Sequence, residues 1–508
     1  MRNILISISV ALLLFSGSAT AALPQTRAQA TMQKISQREP VRSAVWGVFA
    51  VNMQGDTLVN INSRQKMVPA SNVKLLTTGL ALRTLGPDFR FETKLGYVGT
   101  ITDSTLVGDL YIIGGGDPTT GSTSEHADKL NVTFSRWASI IRKAGINKID
   151  GKVVGDPRFF NDATPENLAW SYEDIGTYYG AGPCGLNFFE NAQNFYVTPA
   201  ASVGVRPYVR PRFPSTPWMR FTNTATTAKA HTTNDLYYVS TEFGPYGEIR
   251  GRFPIDRKGY TLECANKFGA YTCAYYFHNY LNSNGITVTK GFADIDRFDR
   301  VRTDLYDVDT GTPAPASKSI EMIGSARSPR LADILRDTNT ESDNFYAETL
   351  LRMLGKTLHN SAVYDSCRVA VEDLFQDMGL VTKNSCQMYD GSGLGRKNYV
   401  SPAFFVSFLK LMARSGVYED YFNSLPQPGG KGTLETILRN EPDSFKGRIH
   451  AKTGSMNGVR CISGYIESKD GDPSRTIVFS LMMNNLTVNM SVVTPIVEEV
   501  LVALAEEN

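Results

Sequence analysis

A chain of 508 residues is longer than one hydrophobic core usually fills, so two or three domains are expected. An apolar fraction of 42% and a charged fraction of 20% are those of a soluble globular protein. The formal charge of +2, with no long basic run interleaved with aromatics, speaks against a nucleic-acid surface or a polybasic membrane anchor and leaves a small or peptidic partner.

The chain begins with Met1-Arg2-Asn3, an apolar run over residues 4–15 and the small residues Ala19-Thr20-Ala21. Those are the regions of a secretory signal in their usual order, so residues 1–21 are expected to be a signal peptide cut after Ala21. The run is shorter than the ~20 residues that span a bilayer, and no cysteine stands at the cleavage point, so no transmembrane or lipid anchor is expected. Export would place Cys184, Cys264, Cys273, Cys367, Cys386 and Cys461 where disulfides form. Sequence does not choose among the pairings, although short loops favour Cys264 with Cys273 and Cys367 with Cys386. Neither the cysteines nor the five histidines have metal-ligand spacing, so no metal or other cofactor is expected.

Residues 44–53 and 57–61 read as a hairpin across Gln54-Gly55-Asp56, and residues 71–85 as a buried helix stopped by Gly86-Pro87. From residue 91 to 320 the composition shifts to Thr, Tyr, Val, Gly and Pro with short alternating runs, a mostly β insertion expected to hold two nested subdomains. Helical patterns follow at 331–336, 343–354, 363–378 and 402–414, then strands at 448–453, 460–467 and 476–484 and a terminal helix at 492–505. Two early and three late strands can form one antiparallel sheet. The expected architecture is an α+β catalytic domain made of residues 22–90 and 321–508, interrupted by residues 91–320.

Three polar motifs lie along this frame: Ser71-Asn72-Val73-Lys74, Ser342-Asp343-Asn344 and Lys452-Thr453-Gly454. An S-x-x-K tetrapeptide alone says little, and a second one, Ser63-Arg64-Gln65-Lys66, sits in the polar connection before Pro69. Ser71 instead begins a helix, where positions i and i+3 share a face. Taken singly the motifs are ordinary helix-terminus, N-cap and strand-to-turn residues. Their joint occurrence in this order points to serine acyl transfer.

A serine hydroxyl needs an adjacent base at neutral pH. Lys74 provides one if desolvation and nearby cations lower its pKa from about 10.4 toward 7, with Lys452 supplying part of that field. Ser342 offers a hydroxyl that relays a proton to the leaving amine, and Asn344 an amide that orients substrate or Lys74; Asp343 between them reads as structural. Lys452 and Thr453 are placed to bind a substrate carboxylate, with Gly454 leaving room for the substrate backbone. The backbone N–H groups of Ser71 and Ser455 form the expected oxyanion hole. His450 alternates onto the strand face of Lys452 and reads as an exposed polar position.

The match widens beyond the three motifs. Pro69-Ala70-Ser71-Asn72-Val73-Lys74, Gly114-Gly115-Gly116-Asp117-Pro118, Glu341-Ser342-Asp343-Asn344 with Ala347-Glu348, Asp390-Gly391-Ser392-Gly393-Leu394 with Val400-Ser401-Pro402, and Ala451-Lys452-Thr453-Gly454-Ser455 are the segments concerned. On these the chain resembles the D-alanyl-D-alanine carboxypeptidase/endopeptidase family, the low-molecular-mass class C penicillin-binding proteins, in which a large insertion separates the first two motifs. The resemblance covers nearly the full mature chain.

It implies a penicillin-binding/β-lactamase-like transpeptidase fold. It also implies that the penultimate D-alanine of a peptidoglycan stem peptide acylates Ser71, releasing the terminal D-alanine or cutting a cross-link, that water then deacylates the enzyme, and that β-lactams acylate the same serine. It further implies an aspartate in the insertion that binds the free end of the diamino-acid side chain; Asp156, in Gly155-Asp156-Pro157-Arg158, occupies the matching segment. The expected location is the periplasm. Ser455 stands where threonine is common but keeps its backbone N–H, and Gly395 after Leu394 alters only loop detail. Two other functions stay open. A serine β-lactamase would need a water-activating acid such as Glu419 with Asn423, whose position in the chain order is reversed; a non-catalytic cell-wall-binding protein would not need the intact triad.

Overall fold

The computed structural model describes residues 26–160, 166–241, 244, 246–295 and 319–508, so the expected signal segment lies outside the described residues. Strands β1 (Val45–Asn52) and β2 (Thr57–Ile61) form the early hairpin, followed by helix α2 (Val73–Leu85), with α1 (Arg27–Ser36) preceding both. α2 is buried on all sides from Val73 to Leu82, its polar Lys74, Thr77 and Thr78 included.

In the inserted region, β3 (Glu92–Thr102) and β4 (Thr105–Ile113) pair antiparallel, and β4 continues in parallel to β5 (Lys148–Asp150) and β6 (Val153–Asp156). Helices α3 (Leu130–Lys143) and α4 (Gly269–Ser283) cover this sheet through Phe134, Trp137, Ile141 and Phe277. A smaller layer pairs β7 (Ala192–Thr198) with β8 (Tyr208–Arg212) on one side and β9 (Tyr260–Ala265) on the other. The region is thus less purely β than its composition suggests. α4 is built from aromatic residues of high strand propensity, and packing against the sheet overrides that preference. Strand β10 (Glu321–Arg327) pairs with β3, so residues following the insertion also join its sheet.

The helical block comprises α5 (Leu331–Thr340), α6 (Asn344–His359), α7 (Tyr364–Asp377), α8 (Pro402–Met412) and the short α9 (Tyr418–Asn423). The chain ends with β11 (Ile449–Met456), β12 (Val459–Ile466), β13 (Ile477–Asn484) and α10 (Met490–Ala505). The five expected strands form one antiparallel sheet in the order β2-β1-β13-β12-β11. Every residue of β13 is buried because both faces are covered. Phe479, Leu481 and Met483 face a core shared with α1 and α10, whereas Val478 and Met482 face the core shared with α2 and the helical block.

The two favoured disulfides do not form: Cys264, Cys273 and Cys386 are thiols. Cys264 packs in the small β layer and Cys273 under the larger sheet, so nearness in sequence does not bring them to one core.

Candidate active site

Ser71 lies in a single 3-10 turn, Ala70–Asn72, that feeds directly into α2. Ala70 takes a left-handed conformation, φ 47°, a sparsely populated state for a residue with a Cβ. Two contacts hold it. Asn72 Nδ2 donates to Ser463 Oγ at 2.8 Å, which donates to Ser480 Oγ at 2.8 Å, tying the turn to β12 and β13. On the other side Gly393 presses so close that an added Cβ would stand 1.9 Å from the Ala70 carbonyl oxygen. The alternative S-x-x-K match, Ser63 to Lys66, remains in the connection after β2.

Lys74 is fully buried one turn along. Its Nζ lies 3.0 Å from Ser71 Oγ, 2.6 Å from Asn344 Oδ1 and 2.8 Å from the Ser392 carbonyl oxygen. Burial pulls its pKa down to about 8, against the opposing pull of Asp343, Glu348 and Asp390. A neutral lysine has two protons and one lone pair. The two carbonyl-type acceptors take the protons, which leaves the lone pair for the serine hydroxyl.

Ser342 also has a left-handed backbone, φ 62°. Asp343 rather than Ser342 caps α6, accepting from the Tyr346 N–H at 2.8 Å. Asn344 opens that helix, and its Nδ2 donates to the Tyr179 carbonyl of the insertion at 3.0 Å. Lys452 Nζ donates to Ser342 Oγ and to the Thr453 carbonyl oxygen, each at 2.9 Å. It is fully buried, and burial followed by the Lys74 charge pushes its pKa well down.

Thr453 is almost fully buried on β11, the edge strand of the central sheet, where on the outer side the Ala451 N–H donates to the Pro426 carbonyl at 3.1 Å and the Thr453 carbonyl accepts from Lys452. The reason for a glycine at 454 differs from the expected one. A Cβ there would stand 2.4 Å from the Pro69 carbonyl oxygen and 3.0 Å from the Asn72 nitrogen, so it is the Ser71 turn that needs the space. Ser455 is exposed and its Oγ accepts from Arg460 at 2.5 Å. His450 is not exposed: it stacks on Phe422 with ring centroids 3.9 Å apart, and burial lowers its pKa to about 4.

Hydrogen bonds therefore join Ser71, Lys74 and Asn344 in one group and Ser342 with Lys452 in another, and the short run from Ser342 to Asn344 holds the two groups together as one cluster. Asp156 stands apart. It is buried at the end of β6 with Arg158 against both its oxygens, at 2.9 and 2.7 Å, and no hydrogen bond joins it to the cluster. Glu419 and Asn423 lie on α9, likewise without a bond to Ser71 or Lys74.

Beneath the cluster lie two acids, Glu348 and Asp390, in the A-E and D-G-S-G-L segments, to which nothing in the sequence assigns a role. Glu348 accepts from the Gly391 and Ser392 N–H groups at 3.0 and 2.8 Å, and burial raises its pKa to about 7. Asp390 accepts from Gly393, Gly395 and Asn398, and from Trp170 Nε1 of the insertion at 3.0 Å. Together they shape the loop that presents the Ser392 carbonyl to Lys74.

The model of the D-Ala-D-Ala carboxypeptidase 3 (S13) family matches residues 28–507. A D-alanyl-D-alanine carboxypeptidase of Actinomadura sp. (strain R39) is 27% identical over 467 residues, which span 89% of this chain and 81% of the relative. The crystal structure of penicillin binding protein 4 (dacB) from Haemophilus influenzae superposes with a TM-score of 0.76 at 22% identity, covering 94% of this chain and 98% of the other. A second crystal structure of that protein, complexed with a β-lactam, gives 0.69 at 21% identity over the same shares.

Proposed function

Because the chain belongs to the D-Ala-D-Ala carboxypeptidase 3 (S13) family, we propose that Ser71 is its nucleophile and Lys74 the general base, acting on peptidoglycan stem peptides. The chain is a serine-type D-Ala-D-Ala carboxypeptidase that binds penicillin. One observation carries the assignment of roles: Lys74 Nζ is held between the Ser71 hydroxyl and two carbonyl acceptors at 2.6 and 2.8 Å.

Ser71 Oγ attacks the carbonyl carbon of the penultimate D-alanine while its proton passes to Lys74. The backbone N–H groups of Ser71 and Ser455 stabilise the oxyanion. Lys452, with one ammonium proton not committed to Ser342 or Thr453, binds the terminal carboxylate together with Thr453. Ser342 delivers a proton to the departing D-alanine amine. The C–N bond breaks, and water attacks the resulting ester to regenerate Ser71. The stem peptide lies antiparallel to β11 beside Thr453 and Ser455, and Gly454 lets β11 itself sit against the nucleophile turn. An endopeptidase reaction on cross-links uses the same acyl-enzyme.

β-Lactams acylate Ser71, a reading supported by the β-lactam complex of the Haemophilus influenzae protein. Residues 22–90 and 321–508 form the catalytic domain and residues 91–320 the insertion. In that insertion Asp156 reaches a substrate ammonium only by exchanging its Arg158 partner. The signal pattern at residues 1–21 supports export to the periplasm, and no described helix is long and apolar enough to cross a membrane. The test is fluorescent penicillin labelling of wild type and Ser71→Ala, alongside release of D-alanine from purified stem peptide. Stable, Ser71-dependent labelling with D-alanine release is expected; rapid penicillin turnover without D-alanine release would replace this reading with a β-lactamase.

A further inference from the structure

We propose that Glu190, reaching in from the inserted region, is a positioning residue of the reaction: it holds the carboxyl of Asp343 and thereby fixes Ser342 and Asn344 on either side of it. The inference rests on the catalytic reading given above and adds to it a part of the chain outside all three motifs.

Glu190 is hydrogen-bonded side chain to side chain with Asp343. Its Oε1 accepts from Ser122 Oγ at 2.6 Å, and Ser122 Oγ accepts from the Tyr346 hydroxyl at 2.9 Å. The Tyr346 N–H donates to Asp343 Oδ1 at 2.8 Å. The contacts close into a ring of Asp343, Glu190, Ser122 and Tyr346, with two members from the insertion and two from the start of α6. Tyr346 is fully buried, so the ring is shielded from water on that side.

The backbone on both sides of this contact is unusual. Phe189, Glu190 and Asn191 are three consecutive residues in the left-handed region, with φ of 50°, 52° and 47°. Asn191 maintains the turn: its Oδ1 accepts from the Phe188 N–H at 3.1 Å, and its Nδ2 donates to the Gly182 carbonyl at 3.0 Å. Opposite it, Ser342 has a φ of 62°. Such conformations persist where surrounding contacts over-determine them, and they gather at functional sites. Two independently enforced turns meeting through a pair of carboxyl groups, one position from Ser342 and one from Asn344, is the arrangement of a clamp.

Two facing carboxyls hold together only if one keeps its proton. Burial raises the pKa of both; the shared bond raises Glu190 further and lowers Asp343, so Glu190 is the donor and Asp343 the acceptor. The other titratable groups around the pair are Glu341 and Tyr346 from the helical block and Lys74 from α2, with Tyr178 of the insertion on the Asp343 side. Lys74 favours the Asp343 carboxylate, and Glu341 opposes ionisation of either acid.

The experiment measures the second-order rate of Ser71 acylation by fluorescent penicillin from about pH 6 to about pH 10, with kcat and KM on stem peptide. The proteins are the mature wild type, Glu190→Gln, Glu190→Leu and Ser122→Ala. Glutamine keeps an acceptor for Ser122 and a donor for Asp343 but cannot ionise. Glu190→Gln is expected within about threefold of wild type, because the amide keeps both contacts of the ring. Glu190→Leu is expected to lose on the order of 10–100-fold, in kcat more than in KM, with Ser122→Ala between them. A Gln variant as slow as the Leu variant, or Leu and Ser122→Ala variants as fast as wild type, would overturn the clamp while leaving the nucleophile assignment intact. If the Leu variant does not fold, the Ser122→Ala variant decides: acylation and kcat unchanged from wild type would overturn the clamp. Wild-type protein that takes no label at Ser71 would overturn the catalytic reading and the clamp with it.

Discussion

Lys74 Nζ donates to Asn344 Oδ1 at 2.6 Å, joining two residues 270 positions apart. Because burial lowers Lys74 to about 8, acylation is expected to rise with pH and reach half its plateau near that value, as the ammonium gives up its proton. Asn344→Asp would put a carboxylate at this distance, favour the ammonium and move the rising limb to higher pH. A pH profile of penicillin acylation for the two proteins checks this. An unmoved limb would show that Lys74 is not the group being titrated.

Gly454→Ala is expected to damage the nucleophile turn rather than substrate approach. The new Cβ would meet backbone atoms of Pro69 and Asn72, which cannot swing aside as a flexible side chain does. We expect a loss of about 1–3 kcal/mol in stability. Displacement of Ser71 should slow acylation on the order of 100-fold. Thermal unfolding and labelling rates measure the two effects separately; normal acylation in a folded variant would contradict the packing argument.

Glu348 makes stability depend on pH in a direction unusual for a carboxylate. Its pKa is about 7 in the folded protein against 4.5 for the free group, so between those values the native state holds a proton that the unfolded chain has released. Its contribution is complete below pH 4.5 and is lost as pH rises through 7. Glu348→Gln still accepts from Gly391 and Ser392 through Oε1 and removes this dependence. Urea unfolding at several pH values should show the variant gaining on wild type across that window.

Trp170→Phe deletes the indole donor to Asp390 and leaves a buried carboxylate with one partner fewer. A cost of about 1–3 kcal/mol is expected. Acylation should slow as well, because the same loop presents the Ser392 carbonyl to Lys74. If stability falls and acylation does not, the insertion supports the loop without tuning the base.

The central sheet was legible because each of its strands is a short run rich in β-branched and apolar residues between turn residues, and the order of the pieces left few ways to pair them. The three motifs were legible because acyl transfer requires particular functional groups at fixed spacing. The supports of the site were harder to read. Trp170 and Asp390 are 220 positions apart, and nothing local to either names the other. Glu190 sits in a left-handed turn without a glycine, so the usual turn vocabulary does not mark it. His450 shows the limit of alternation: the pattern gives the strand face it shares with Lys452, but not that Phe422 covers it. Helix α4 stayed hidden because its tyrosines and phenylalanine suit a strand as well.

The pairing of β1 with β13, Val45 opposite Asn484, sets the order in which a growing chain can become an enzyme. During synthesis β1 and the Ser71 turn emerge early, yet β13, which flanks β1, and Ser463 and Ser480, which anchor the turn, are among the last residues made. The sheet of the insertion is complete once β10 (Glu321–Arg327) has emerged, and domains generally fold as units as the chain emerges. The proposed centre is therefore completed only when translation is nearly over, and an unfinished chain is expected to lack a working nucleophile. A nascent chain arrested just before residue 477 should contain a protease-resistant insertion and take no penicillin label; labelling at that length would refute the order.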